Sequence, residues 1–276
     1  MIKKSFFSLV LLLFAGAGIL FFQNKENFNF KEATNEEGLE ANVSLVKEES
    51  KELKEKDKVE NKIEDDITPK ENEEKILSLP KKFKLEVDFT SQAPPVYGKN
   101  KNEPNWDHDH GEACEEASII MAHYFFTKKK LTPEIADSEI LAMLEFQEKN
   151  YSLRNKDLEA QETLNLAKDF YGYQDVYVKY DITIEDIKNE IYKGNPVILP
   201  TAGRELHNPY YRQPGPIYHM LIAIGWDDNK KEIITNDPGT KRGESFMYKY
   251  EVLENAIHEW NNGDVSNGRK AMIVIN

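Results

Sequence analysis

Between Lys31 and Pro80 the chain carries 16 acidic and 9 basic residues and no aromatic one, in runs such as "KEESKELKEKDKVENKIEDD". Such a segment buries too little apolar area to offset the entropy of ordering it, so any compact core must be built elsewhere. This splits the 276 residues into an N-terminal targeting segment (1–30), a charged and mostly disordered stalk (31–82) and one globular domain (83–276). The apolar positions of the stalk keep no heptad, which weighs against a coiled coil. As a flexible chain of about 50 residues it would reach on the order of 40 Å.

Lys3 and Lys4 precede an uncharged, mostly apolar run from Ser5 to Phe22. That run just reaches the lower limit of about 17 residues for a bilayer span. Ala15-Gly16-Ala17 offers a small-residue cleavage pattern, but Gly18 to Phe22 continue the apolar run beyond it, so an uncleaved anchor is expected ahead of a cleaved signal peptide. The two lysines put that end in the cytoplasm. The domain is therefore expected outside it, as a membrane-anchored or secreted monomer.

The net charge of −13, with no basic stripe, excludes a nucleic-acid partner, because phosphate binding rests on Lys and Arg. A single cysteine, Cys114, allows no disulfide within the chain. In an exported domain an odd cysteine is either an inert buried residue or a reactive thiol.

Apolar periodicity predicts helices over Ala113–Phe126, where Ala117, Ile120, Met121 and Tyr124 share a face, and over Pro133–Lys149, Asp157–Tyr171 and Thr183–Lys193. Strands are predicted at Val197–Pro200, Ile217–Trp226, Glu232–Asn236, Ser245–Tyr248 and Ala271–Ile275, with a short helix near Val252–Trp260. Helices followed by an antiparallel sheet make an α+β fold.

Cys114 falls in the first turn of its helix, where the helix dipole favours a thiolate. His219 interrupts the apolar strand "IYHMLIAIGWDD" as a candidate base. A turn centred near Asp228-Asn229 would set position 219 opposite 237 or 238, and position 237 is Asp. Asp237 is thus a candidate to orient the imidazole, although Asn236-Asp237-Pro238-Gly239 is also strong turn chemistry. An oxyanion needs donors as well, and Gln92 in "DFTSQAPP" is a candidate beside the Cys114 backbone N–H. Arg204, His207, Tyr210 and Tyr211, in the loop before His219, and Trp106 are candidate substrate contacts. Asp107, His108, Asp109 and His110 crowd together in "WDHDHGEAC", but alternating side chains point apart, so no metal site is expected.

Taken together, "FTSQAPP", Trp106, "CEEASIIM", "NPVILPTAGR", "YHMLIAIGWDD" and "TNDPGTKRGESF" resemble the stand-alone C39-like peptidase domains of the papain-like cysteine peptidase superfamily. The resemblance runs from about Phe83 to Asn276. It implies a papain-like α+β fold whose helical part carries the Cys and whose antiparallel sheet carries the His and Asp. It also implies Cys114 as nucleophile, His219 as base, Asp237 as orienting residue and Gln92 as oxyanion donor, with no cofactor. The expected activity is hydrolysis of peptide or protein substrates through a thioester. A transamidase or peptidoglycan amidase using the same triad, and a catalytically silent peptide-binding module, are the alternatives.

Two departures matter. Glu115 and Glu116 follow the Cys where many such peptidases have Gly and a small residue or Pro, and carboxylates aimed at the thiol would oppose its ionisation. Leader peptidases of this type that cut after double glycine are fused to an export ATPase; this chain has no phosphate-binding loop, so that substrate does not carry over.

Overall fold

The computed structural model describes residues 79–95 and 106–275. Seven strands among them form one antiparallel sheet: β1 (Lys82–Lys84), β2 (Val176–Tyr180), β3 (Val197–Ala202), β4 (Tyr218–Asp227), β5 (Glu232–Asn236), β6 (Phe246–Lys249) and β7 (Ala271–Ile275). Their order is β2-β7-β3-β4-β5-β6. β1 pairs with Gly225 to Asp227 of β4, beyond the stretch that pairs with β3. The helices are α1 (His108–Gly111), α2 (Cys114–Thr127), α3 (Pro133–Tyr151), α4 (Ala160–Tyr171), α5 (Ile184–Tyr192) and α6 (Tyr250–Ala256). The expected α+β class is the one observed, with α2 to α4 ahead of every strand but β1 in the chain.

The two faces of the sheet are covered by different helices. Along β4, Met220, Ile222 and Ile224 pack with α2, α3 and α4, while Leu221 and Ala223 pack with α5 and α6. Both faces of the central strands are therefore apolar, and all ten residues of β4 are buried. The register shifts between Ala223 and Gly225, which turns Trp226 onto the second face. Gly225 is required there, since a Cβ would come within 2.4 Å of the Phe83 carbonyl oxygen.

Three differences from the sequence reading have plain causes. β2, "VYVKY", alternates half-buried and exposed positions on the sheet edge, a period-2 signal hidden between two helices. Ordered structure begins before residue 83: Leu79 packs on the second core cluster and Trp226 Nε1–H donates to the Pro80 carbonyl at 3.0 Å. α4 starts at Ala160 instead of Asp157, because Glu159 is extended and closes a reciprocal capping box with Glu162. The targeting segment and the stalk up to residue 78 lie outside the described residues. Among the described residues no helix is long and apolar enough to cross a membrane.

Candidate active site

Cys114 opens α2, which is buried on all sides through its first nine residues, not on one face as its periodicity suggested. The helix is pinned between the sheet and α3, so its first residue is held at a fixed point. The thiol is only 6% exposed. It accepts a hydrogen bond from Met220 N–H at 3.3 Å and donates to Glu115 Oε2 at 3.0 Å.

His219 sits one residue before that amide on β4. Its Nε2 is 2.8 Å from Asp237 Oδ1. The pairing behind this contact differs from the expected one. The turn centres one residue later and the bulge takes back only part of that shift, so the β4–β5 ladder ends at Ile222↔Asn236. Asp237 lies just past β5 and reaches His219 diagonally. Gly239 stands against the ring instead: a Cβ there would lie 2.8 Å from His219 Cε1.

Asp237 is fully buried and its carboxylate is saturated with donors. Oδ1 also accepts from Gly239 N–H at 2.9 Å. Oδ2 accepts from Asn208 Nδ2 at 3.0 Å and from the hydroxyls of Tyr211 at 2.7 Å and Tyr248 at 2.5 Å. Burial alone would raise its pKa, but the His219 charge and these hydrogen bonds outweigh it and hold the carboxyl below its ordinary value. Tyr211 also packs edge-on against the His219 ring, with centroids 5.4 Å apart.

Around the thiol the balance is reversed. Burial and then the Glu115 charge push the Cys114 pKa well above its ordinary value, overriding the helix dipole. Glu115 is raised in turn by burial and by Glu116. Glu116, which accepts a hydrogen bond from Gln147, is pushed up to about 7 by burial. In this arrangement Cys114 is a neutral thiol bonded to a buried carboxyl group.

Gln92 is buried beside the site, held by its own N–H to the Pro238 carbonyl at 3.0 Å. Its Nε2 donates to the carbonyls of His110 at 3.1 Å and Gly111 at 2.9 Å. Both amide hydrogens are thereby occupied, and Oε1 is buried without a hydrogen-bond partner among the described residues.

A cleft of about 1120 Å³ opens over these groups, lined by Gln92, Cys114 and His219 and by Trp106, Tyr210 and Tyr211. Arg204 and His207 do not reach it. Arg204 lies in a 3-10 turn with Nε on the Gly215 carbonyl at 3.3 Å, and His207 takes a left-handed conformation that redirects the chain. Arg212, Lys241, Arg242, Asp157 and Glu112 line the cleft in their stead. Asn208 and Tyr248, which hold Asp237, carry no sequence signal beyond a polar residue in a loop and an aromatic in a strand.

The Asp/His-rich stretch before Cys114 is a helical turn, α1, capped by Asp107. His110 is buried between Asp107 at 2.7 Å and Asp137 at 3.0 Å, while Asp109 pairs with Arg154 at 2.7 Å. No cluster of three or more His, Cys, Asp or Glu residues suited to a metal occurs among the described residues.

The sequence profile of the Peptidase C39-like family matches residues 84–264. No curated protein matches. Among solved structures, one described as a candidate C39-like peptidase from Bacillus anthracis is 14% identical, covering 71% of this chain and 98% of its own, with a TM-score of 0.45. Xylellain, a cysteine protease from Xylella fastidiosa, is 13% identical over 78% of this chain and 94% of its own, with a TM-score of 0.35.

Proposed function

The chain is a cysteine peptidase of the Peptidase C39-like family, and from that premise we propose that it hydrolyses peptide bonds through Cys114, His219 and Asp237. The observation that carries this is the 2.8 Å contact of His219 Nε2 with Asp237 Oδ1, on a strand whose next amide lies 3.3 Å from Cys114 Sγ. An Nε2–H donating to the carboxylate leaves Nδ1 as the basic nitrogen of the neutral ring. Nδ1 is then the atom that accepts the thiol proton.

In the proposed reaction Cys114 Sγ–H leaves Glu115 and gives its proton to His219 Nδ1. The thiolate forms a bond to the substrate carbonyl carbon, and the carbonyl electron pair moves onto oxygen. The Cys114 N–H and Gln92 Nε2–H receive that oxyanion, the latter after turning from the His110 and Gly111 carbonyls. Collapse breaks the C–N bond, the amine departs with the His219 proton, and a thioester remains. Water, deprotonated by His219, attacks the thioester and releases the new carboxyl end and the thiol.

One observation favours a second reading, a silent peptide-binding module: the thiol is bonded to Glu115 and the Gln92 donors are occupied. Incubating the full chain and its Cys114→Ala variant with a peptide library and reading products by mass spectrometry decides among these. New carboxyl ends that need Cys114 support hydrolysis, whereas ammonia loss with cross-linking indicates transamidation. Peptide retention without turnover supports the binding module.

The apolar run at Ser5–Phe22 and the charged stalk support a domain held outside the cytoplasm. Exposure of the domain to protease added to intact cells tests this, and protection of the domain would refute it.

A further inference from the structure

We infer that the cleft selects peptides with opposite charges flanking the scissile bond, a cationic group against Asp157 and Glu112 and an anionic group against Arg212, Lys241 and Arg242. This rests on the reading of the cleft as a peptidase site and names its substrate class.

The two walls come from different parts of the fold. Glu112 lies two residues before Cys114, between α1 and α2, and Asp157 lies in the stretch before α4, next to the Leu158 amide that binds Glu115. Both acids therefore stand on the nucleophile's side of the cleft. Asp157 is half-buried, with no hydrogen bond or ion pair to its carboxylate among the described residues. Burial, and then the charge of Glu112, push it up to about 6. A cation placed between them would relieve both effects.

The opposite wall belongs to the sheet side. Arg212 lies in the loop entering β4, and Lys241 and Arg242 follow Gly239, the residue packed against His219. All three are exposed and line the cleft, and none has a carboxylate partner among the described residues. Arg242 is already placed, its guanidinium 4.8 Å from the centroid of the Tyr210 ring. Among the described residues the fold sets no carboxylate against this wall. An incoming carboxylate would supply the counter-charge, either an acidic side chain or the free C-terminus of a short peptide.

The test uses the full chain as Cys114→Ala, with fluorescent peptides bearing Lys and Glu on either side of a fixed core, in both orders, and a matched peptide with Gln at both positions. Each is made as free acid and as C-terminal amide, and binding is read by anisotropy at low and high salt. One charged order should bind about tenfold tighter than the Gln peptide, with the gain lost at high salt. Asp157→Asn should erase the gain from Lys alone, and the combined Arg212→Gln, Lys241→Gln, Arg242→Gln variant the gain from the anion alone. Dependence on the free C-terminus would identify that carboxylate as the anion, and indifference to amidation the side chain. Equal binding of all peptides, no binding of any, or variants that leave the preference unchanged would overturn the inference. Parallel turnover by the wild-type chain separates the two claims. Charge-selective binding without cleavage would sink the peptidase reading and keep the charge selectivity of the cleft, and cleavage without charge preference would do the reverse.

Discussion

Glu115→Gln removes the charge beside the thiol while keeping an oxygen able to accept from Leu158 N–H and a side chain of the same size. In the wild type Cys114 Sγ and Glu115 Oε2 are 3.0 Å apart in a buried setting, so a thiolate and a carboxylate cannot comfortably coexist there. At that separation and an effective dielectric of about 20, two like charges repel by about 5.5 kcal/mol. If only a quarter of that, about 1.4 kcal/mol, opposes ionisation in practice, its removal raises the thiolate fraction about tenfold. The assay is the rate of iodoacetamide alkylation of Cys114 from about pH 5 to 9, with thermal melting to show that the variant folds. The Gln variant should alkylate at least about tenfold faster near pH 7, and combining it with His219→Ala should cancel much of the gain. A folded Gln variant that reacts no faster at any pH would refute the electrostatic reasoning and leave burial alone as the cause of the inert thiol.

Gly239→Ala would set a methyl group 2.8 Å from His219 Cε1, so peptide hydrolysis should fall by about 10²-fold or more while overpacking lowers stability by about 1–3 kcal/mol, measured by kcat and by melting. Tyr248→Phe removes one donor from Asp237 Oδ2. Because the native pKa of Asp237 lies below its unfolded value, its contribution to stability is present above the unfolded value and is lost as pH falls from there toward the native one; in the Phe variant the two values lie closer together, so melting curves should show a smaller acid loss than in the wild type. Glu116 has the opposite sign: with a native value of about 7 against 4.5 unfolded, its protonated form is favoured by folding, so stability is highest below 4.5 and declines as pH rises through 7. Glu116→Gln should remove that decline, on the order of 3 kcal/mol, and a melting-temperature difference between pH 5 and 8 equal to the wild type's would contradict it.

The helices and core strands are legible because their periodicity and caps are local: Thr183 and Asp186 at the start of α5 and Thr132 with Pro133 at the start of α3 mark those boundaries in the sequence. The three residues singled out as nucleophile, base and orienting acid are brought to one place, although the β4–β5 turn centres later than a 219–237 pairing requires. The contact survives because an Asp one residue past a strand can reach diagonally. What the sequence hides are interactions fixed by packing. Nothing local says that Asn208 and Tyr248 meet at Asp237, that Glu115 turns inward onto the thiol, or that the Gln92 amide faces the His110 and Gly111 carbonyls. Arg204 and His207 lie away from the cleft for a related reason: their closeness to it in sequence does not survive the left-handed turn at 207.

The contacts that assemble the site join distant parts of the chain: Ser91 to Pro238 across 147 residues and Cys114 to Met220 across 106. A growing polypeptide therefore carries its nucleophile long before it carries the base, and the acid's last hydroxyl donor, Tyr248, arrives later still. Non-local pairing of this kind forms late in folding. If the domain crosses a membrane unfolded, as its leading segment would have it do, no catalytic apparatus exists in transit. In that case synthesis and export would be separated from proteolysis by topology alone.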